Sequence, residues 1–153
     1  MRFLIQRVTK ASCEVEGTVT GSIGKGFLVF IGIADSDTEE TADRMIRKMS
    51  HLRIFDDSEG RTNLSLEDTK GDLLLISQFT LYADCRKGNR PSFFRAGEPK
   101  HAEALYEYIL RKCAGLIPGG RTGHGIFGAV MEISLVNDGP FTILLDSEEL
   151  GMH

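Results

Sequence analysis

The chain has 153 residues, of which 41% are hydrophobic and 26% are charged, and its formal net charge is −4 at pH 7. These fractions exclude wholesale disorder, and the length suits one compact domain spanning residues 1–153. The acidic balance gives no global attraction to nucleic acid, so any contact with RNA has to come from a local basic segment.

The pattern of apolar residues and cysteines predicts a cytoplasmic protein without a membrane anchor. The longest nearly continuous apolar stretch, residues 26–34, is far shorter than the roughly 20 residues that a membrane span needs. A second positive charge at Arg7 interrupts any apolar region of a signal peptide. The three cysteines are an odd number without a CxxC pair, which argues against a disulfide framework and a zinc site and fits a reducing compartment: Cys13, Cys85 and Cys113.

The first part of the chain predicts strands. Residues 1–8 have the pattern of an edge or half-buried strand. Two short β-branched runs, 11–15 and 18–23, flank the turn sequence Glu16-Gly17 and predict a hairpin. Residues 27–33 are apolar on both faces, which indicates a central strand.

The next segment predicts a helix that begins near Asp37. Asp37 stands three residues before Glu40, which is the spacing of a capping box. Apolar residues then recur at helical spacing and form one stripe: Ala42, Met45, Ile46, Met49 and Leu52. Residues 56–66 are predicted to be a polar connection.

The second half of the chain predicts a buried strand at 73–76, a second helix, and closing strands at 126–136 and 141–145. Pro99 suits the first position of the helix, whose inner face carries Ala102, Leu105, Ile109, Leu110 and Cys113. About seven strands and two principal helices result, and the strands cluster at both ends of the chain. This arrangement predicts an α+β fold with a mainly antiparallel, barrel-like sheet.

Three common kinds of site find little support in the sequence. Residues 24–26 lack the second glycine and the Lys-Ser/Thr pair of a P-loop and are expected to form a turn. Cys85 has no identified base nearby, which disfavours a cysteine hydrolase. The histidines are scattered, with no two at ligand spacing with a carboxylate, so no metal site is predicted: His51, His101, His124 and His153.

The first candidate segment is Ser77-Gln78-Phe79-Thr80, at the exit of the 73–76 strand. Polar groups beside a Leu-Leu-Leu-Ile run cost free energy unless they form hydrogen bonds. Two interpretations stay open. Either the strand emerges into solvent, or its end presents hydroxyl, amide and backbone N–H groups to a ligand.

The second candidate segment is Asn137-Asp138-Gly139-Pro140, which separates the two closing strands. Its composition is that of a tight turn. Glycine also lets another backbone approach closely, and a rigid Gly-Pro tip is able to act as a steric gauge. The sequence alone leaves both interpretations open.

Between these segments, residues 86–95 carry four basic side chains, no acidic side chain and two phenylalanines. Such a run is usually a solvated loop. Its mixture of Arg, Asn, Ser and Phe also suits phosphate contacts and base stacking, so contact with nucleic acid is the alternative.

These motifs resemble those of the D-aminoacyl-tRNA deacylases, formerly called D-tyrosyl-tRNA deacylases, over nearly the whole chain. The two signature motifs are residues 77–81 and 137–142, and they stand in the family's order. Shorter matches are Gln6-Arg7-Val8, Ala11-Ser12, Arg53-Ile54-Phe55, Arg90-Pro91-Ser92-Phe93, Phe127-Gly128-Ala129 and Met131. Two departures concern the pocket wall: Phe141 stands where a smaller residue, commonly Val, is expected, and residues 119–128 are unusually rich in glycine.

The resemblance implies a hydrolase that cleaves the ester between a D-amino acid, or glycine, and the terminal adenosine of tRNA. It also implies a homodimer with its active sites at the subunit interface. Gly139 and Pro140, joined by a cis bond, would enter the partner's pocket and reject L-amino acids there. The implied catalytic residues are those of the first motif: Ser77, Gln78, Phe79 and Thr80.

The resemblance further assigns substrate-binding roles to Phe127, Gly128, Ala129, Met131 and Asn137. It assigns the support of the Gly-Pro loop to Arg7. No metal, organic cofactor, DNA or membrane partner is expected.

Thr80 is the obvious nucleophile, but neither motif supplies a base for it. A hydrolysis without an acyl-enzyme is therefore preferred. In it, backbone N–H groups around Phe79 and Thr80 stabilise the oxyanion, and Gln78 orients the ester or the water, with help from the neighbouring ribose hydroxyl. The alternatives are an RNA-binding module without activity, a small-molecule esterase, and a scaffold whose Gly-Pro loop is only structural.

Overall fold

A computed structural model describes residues 1–152. The strands are β1 (Arg2–Val15), β2 (Thr18–Ile23), β3 (Gly26–Gly32), β4 (Phe55–Asp56), β5 (Thr62–Leu64), β6 (Asp72–Ser77), β7 (Thr122–His124) and β8 (Glu132–Asp146). The helices are α1 (Glu39–Ser50), α2 (Leu66–Thr69) and α3 (Pro99–Cys113), and a 3₁₀ turn spans Phe79–Tyr82. Across residues 1–152, no helix combines the length and the apolar character needed to cross a membrane.

Six strands form one mixed sheet that is nearly closed. Its order is β2-β1-β3-β6-β7, and β8 pairs with the length of β1. The pairs β3–β6 and β6–β7 are parallel, and the pairs made by β1 are antiparallel. β7 returns beside β2, where a Cβ at Gly21 would lie 2.9 Å from the backbone nitrogen of His124. The α+β, barrel-like prediction is confirmed.

Of the two alternatives predicted for residues 1–8, the half-buried strand is confirmed, because alternate residues of β1 are buried, and the edge strand is wrong. β1 is continuous and central, because Phe3 pairs with Ile31 of β3 on one side and with Leu145 of β8 on the other. The alternation of apolar and polar residues shows that one face of the strand is buried, but it does not show how many neighbouring strands pair with it. The predicted hairpin is confirmed, and Glu16 and Gly17 adopt the positive φ angles of 49° and 79° that its tight turn requires.

The predicted first helix is present, but its N-cap is different. Thr38, not Asp37, caps α1, and it forms a capping box with Thr41. Asp37 is buried instead, where its carboxylate accepts hydrogen bonds from the N–H of Ala34 and from the amino group of Met1. The predicted stripe is buried up to Met49 and Leu52 follows the end of the helix.

Two predicted connections are also wrong. Residues 56–66 contain most of the β4–β5 hairpin and the start of α2 rather than a plain polar connection. The two closing strands are one strand, β8, whose pairing with β1 jumps from Val8↔Asn137 to Gln6↔Thr142. Residues 138–141 therefore form a bulge in a continuous strand. The turn-like sequence is compatible with both a bulge and a hairpin, so it did not distinguish them.

Apolar side chains are buried on both faces of β3 and β6, as predicted for central strands. On one face, Phe27 stacks on Phe55 at 5.1 Å in a cluster that includes α1 and α3. On the other face, Leu28 and Leu74 pack in a smaller cluster with Val8. α3 begins at Pro99 as predicted, and its buried Tyr106, absent from the predicted stripe, donates a hydrogen bond to the carbonyl of Leu75.

The cysteines predict a simple labelling pattern. Cys13 and Cys113 are buried, and Cys85 is exposed. Burial raises the pKa of the Cys113 thiol to about 12, so almost no thiolate forms there near pH 8. We expect a thiol reagent such as DTNB to titrate one cysteine rapidly in the native protein and three after denaturation. The variant C85S should lose the rapid phase, and a second rapid thiol would contradict the burial of the other two.

Candidate active site

A cavity of about 710 Å³ opens where the parallel strands β3 and β6 end. Ile31 pairs with Ser77 at this edge, and the N–H of Gln78 donates to the carbonyl of Ile31 at 2.7 Å. The volume is that of a small-molecule site, and the carboxyl ends of parallel strands are a common place for one.

The cavity brings together three of the segments that the sequence singled out. The basic segment 86–95 contributes Phe93 and Phe94 to its lining. The first motif contributes Ser77, Gln78 and Phe79 to its lining. The segment before β8 contributes Phe127, Gly128, Ala129 and Met131. The last two segments are about 50 residues apart in the chain, so the fold supplies a juxtaposition that local patterns do not contain.

Thr80 lies beside the cavity, and it is exposed. Its hydroxyl oxygen accepts a hydrogen bond from the Gln78 side-chain amide at 2.5 Å. The amide N–H is a donor and not a base, so this contact does not activate the hydroxyl. This hydrogen bond orients Thr80. It leaves the side-chain oxygen Oε1 of Gln78 available to a water or a substrate.

The 3₁₀ turn after β6 leaves backbone donors near the cavity. Because the first N–H groups of a helical turn have no acceptor within it, they need other partners. Within residues 1–152, the N–H groups of Phe79 and Thr80 donate to no backbone or side-chain acceptor outside the turn. Two neighbouring free N–H groups are a suitable arrangement for binding an oxyanion.

The side chain of Arg7, which is 6% exposed, forms a hydrogen bond with the bulge of β8. Its Nε donates to the carbonyl of Asp138 at 3.0 Å, and its Nη1 donates to the carbonyl of Ile54 at 2.5 Å. The guanidinium also lies 4.7 Å from the centre of the Phe141 ring. One buried cation therefore ties the bulge to the β4 end of the molecule.

Asn137 stabilises the bulge through two hydrogen bonds of its side chain. Its Oδ1 accepts from the N–H of Phe141 at 2.7 Å, and its Nδ2 donates to the hydroxyl of Thr142 at 2.9 Å. The Gly139-Pro140 peptide bond is cis, and both residues are exposed. The structure does not bring Asn137, Gly139, Pro140 or Arg7 into the lining of the cavity of their own chain.

The comparison with known families decides what kind of protein carries this site. A family described as D-Tyr-tRNA(Tyr) deacylase matches residues 4–146. The chain belongs to the D-Tyr-tRNA(Tyr) deacylase family. Proteins named D-aminoacyl-tRNA deacylase are 47% identical over 150 residues in Thermosipho melanesiensis (98% of this chain, 99% of the relative) and 48% identical over 149 residues in Desulfitobacterium hafniense strain DSM 10664 / DCB-2 (97% and 99%).

Two solved structures share this deacylase fold. One, named c-Myc DNA Unwinding Element Binding Protein, has a TM-score of 0.90 and 38% sequence identity over 96% of this chain and 99% of that chain. The other, described as a probable eukaryotic D-amino acid tRNA deacylase, has a TM-score of 0.80 over 94% and 97% of the two chains. At 20% identity, the second likeness supports the fold alone.

The two departures from the deacylase pattern do not narrow the cavity. Phe141 is half-buried under Arg7 and lies outside the lining. In the glycine-rich range 119–128, Gly123 permits the close approach of β7 to β2, and Gly120 lies where a Cβ would be 2.4 Å from the carbonyl of Gly71. Of the glycines in this range, only Gly128 lines the cavity.

The sequence analysis missed part of the deacylase cavity wall. Asp35 lines it just after β3, and its carboxylate accepts from the N–H of Glu98 at 2.7 Å. Phe93, which the sequence analysis did name, meets Phe79 edge-on at 4.9 Å. Asp35 carried a usable signal, because it follows a buried strand at its carboxyl end. Glu98 carried no such signal, because residues 96–98 have no periodic pattern.

The histidines of this deacylase lie apart. Within residues 1–152, no three histidine, cysteine, aspartate or glutamate side chains cluster as metal ligands would. His51 caps the end of α1, where its Nδ1 lies 2.8 Å from the carbonyl of Arg47. His153 lies outside the described residues.

Proposed function

We infer that this chain hydrolyses the ester between a D-amino acid, or glycine, and the terminal adenosine of tRNA, releasing the free amino acid and tRNA. The observation that carries this inference is the cavity that Ser77, Gln78 and Phe79 line, in a chain 47–48% identical over nearly its full length to D-aminoacyl-tRNA deacylases. We further propose that residues 1–153 act as one catalytic domain and that the activity belongs to the cytoplasm.

The reaction needs an oriented water and stabilisation of charge. Water adds to the ester carbonyl, and the bond to the ribose oxygen breaks with a proton passing to that oxygen. The N–H groups of Phe79 and Thr80 stabilise the oxyanion of the tetrahedral intermediate, and the side-chain oxygen Oε1 of Gln78 orients the water. The neighbouring hydroxyl of the substrate ribose assists the departure of its oxygen.

Thr80→Ala tests whether the threonine forms an acyl-enzyme. Because its hydroxyl has an amide donor rather than a base as its partner, we expect kcat to stay within about tenfold of the parent, whereas loss of a nucleophile costs far more. Acid quench during turnover of D-[¹⁴C]Tyr-tRNA measures any covalent label. A trapped ester on Thr80, absent from the alanine variant, would refute the non-covalent route.

We propose a homodimer in which Gly139 and Pro140 of one subunit enter the cavity of its partner. Both residues are exposed and outside their own cavity, which leaves them free to reach another. Exposed apolar side chains on β8, Val136 and Leu144, offer surface to a second copy. The mass in solution, compared with the chain mass of 16.9 kDa, tests this assembly.

Chirality is tested by the release of amino acid from D-Tyr-tRNA and L-Tyr-tRNA in EDTA. A rigid backbone wall excludes an L side chain and leaves the D position open, so we expect rapid release from the D form alone. Equal release from both forms would contradict the steric gauge. No release from either would favour an RNA-binding module, and equal cleavage of simple amino-acid esters would favour a general esterase.

A further inference from the structure

The chain between the 3₁₀ turn and α3 forms a basic loop, defined here as residues 84–95, with a fixed base. The N–H and carbonyl of Asp84 pair with those of Ser92 at 2.7 and 2.9 Å. Arg86 donates to both carboxylate oxygens of Asp84. These hydrogen bonds lower the pKa of Asp84 from 3.8 to about 2, so the carboxylate that secures the loop stays charged in mildly acidic solution as well as at neutral pH.

The remaining cations of the basic loop have no protein partner. Lys87, Arg90 and Arg95 are exposed, and each lies more than 4 Å from every carboxylate oxygen of residues 1–152. The segment 85–95 contains no acidic residue, although the whole chain carries a net charge of −4. A local cluster of unneutralised cations on an acidic molecule is complementary to an anionic partner.

The basic loop also ends at the mouth of the cavity. Phe93 and Phe94 line the cavity, and Phe94 is 93% exposed. Phe93 is braced by Phe79. From Arg90 to Phe94 the chain spans at most about 14 Å, so the cations and the exposed ring serve one short ligand segment.

We propose that the basic loop docks the single-stranded 3′ end of tRNA, with Lys87, Arg90 and Arg95 on the phosphates that precede the terminal adenosine and Phe94 stacked on a neighbouring base. Phosphate neutralisation combined with an aromatic platform is the usual chemistry of single-strand binding. This inference rests on the proposed function, because it assumes that the terminal adenosine enters the adjacent cavity.

The test compares two substrates of different length. D-Tyr-tRNA presents the full 3′ end, whereas the D-tyrosyl ester of adenosine reaches the cavity but lacks the preceding phosphates. In the triple variant K87A/R90A/R95A we expect kcat/KM for D-Tyr-tRNA to fall at least tenfold at low salt, mostly through KM. Hydrolysis of the adenosine ester should be unchanged. The matched control R47A/K48A/R111A removes three exposed cations from the last turns of α1 and α3 and should keep activity on both substrates.

Salt dependence supplies a second readout. The slope of log(kcat/KM) against log[salt] for D-Tyr-tRNA should become shallower by about 2 in the triple variant, since each single-strand phosphate contact contributes about 0.7. Phe94→Ala should lower the ratio of tRNA to adenosine-ester turnover about tenfold. An equal loss on both substrates, or no loss on tRNA, would overturn the docking surface. If the parent protein hydrolyses neither substrate, the proposed function itself fails.

A competition experiment tests direct binding of the strand. A short ribo-oligonucleotide ending in CCA should inhibit the parent protein and should inhibit the triple variant at least tenfold more weakly. Equal inhibition of the parent protein and the triple variant would overturn the assignment of the basic loop to the tRNA end.

Discussion

Gly139→Val is expected to abolish the hydrolysis of D-aminoacyl-tRNA, with kcat/KM falling at least about a hundredfold. Gly139 has a φ of +128°, which side chains rarely tolerate. A Cβ there would lie 2.8 Å from Nη2 of Arg7, so the guanidinium that binds the bulge of β8, or the bulge itself, has to shift. A shift of about 1 Å in a positioning element is enough for a loss of this size. Single-turnover assays with D-Tyr-tRNA and Gly-tRNA measure the effect.

Gly60→Val is the control for the effect of placing a side chain at a positive φ angle, away from the bulge of β8. Gly60 also has a positive φ, +74°, but nothing lies within 4 Å of its Cβ position. This variant should lose some stability and keep its activity. Full activity of Gly139→Val would remove the steric gauge from the proposed mechanism, whereas loss of activity in both variants would point to unfolding, which a thermal melt detects.

Arg7→Met is expected to produce the largest loss of stability, about 3 kcal/mol, or a fall in Tm of about 6–12 °C. The substitution leaves the carbonyls of Ile54 and Asp138 without their charged donor and removes a cation from beside the Phe141 ring. Because burial makes an unpaired carbonyl costly, the loss should exceed that of an exposed pair. Urea unfolding followed by circular dichroism gives the free energy of unfolding.

Arg44→Met is the matched control. Arg44 pairs with Glu40 at 2.5 Å, but both side chains are exposed, so its loss should cost less than about 0.5 kcal/mol. Arg7→Lys should fall between the two, because one ammonium on a flexible stem does not reproduce the spaced donors of a guanidinium. Equal stability of the Arg7 and Arg44 variants would show that the bulge does not depend on its buried cation.

Elements set by local patterns were predictable from the sequence. The 73–76 run is buried in β6, Pro99 begins α3, and Glu16-Gly17 turns the first hairpin. Elements set by distant partners were not. Residues 2–8 show the same alternation whether one strand or two lie beside them, and the sequence at 137–140 suits a hairpin as well as a bulge.

The candidate site likewise has parts that were predictable from the sequence and parts that depend on distant partners. The resemblance to a family identified the segments at Ser77 and Phe127 that the fold brings to one cavity. Their roles in binding and catalysis remain predictions. Asp35 was missed although its place after a buried strand is a usable signal. Glu98 was missed because its hydrogen bond to Asp35 joins two loops 63 residues apart, and its own loop has no repeating pattern. The resemblance alone pointed to Arg7, and its two carbonyl partners were not predictable because main-chain carbonyls carry no side-chain signal.

The pairing of β1 with β8 sets the order in which the chain is able to fold. Phe3 finds its partner Leu145 only after all the residues between them have been synthesised. Until then, one edge of β1 lacks its neighbour, and the side chain of Arg7 lacks its carbonyl partner at Asp138. Contacts of such long sequence separation slow folding, because the chain between them must be ordered first. During synthesis, the nascent chain therefore exposes an unpaired strand edge, and this is the stage at which aggregation is most favourable.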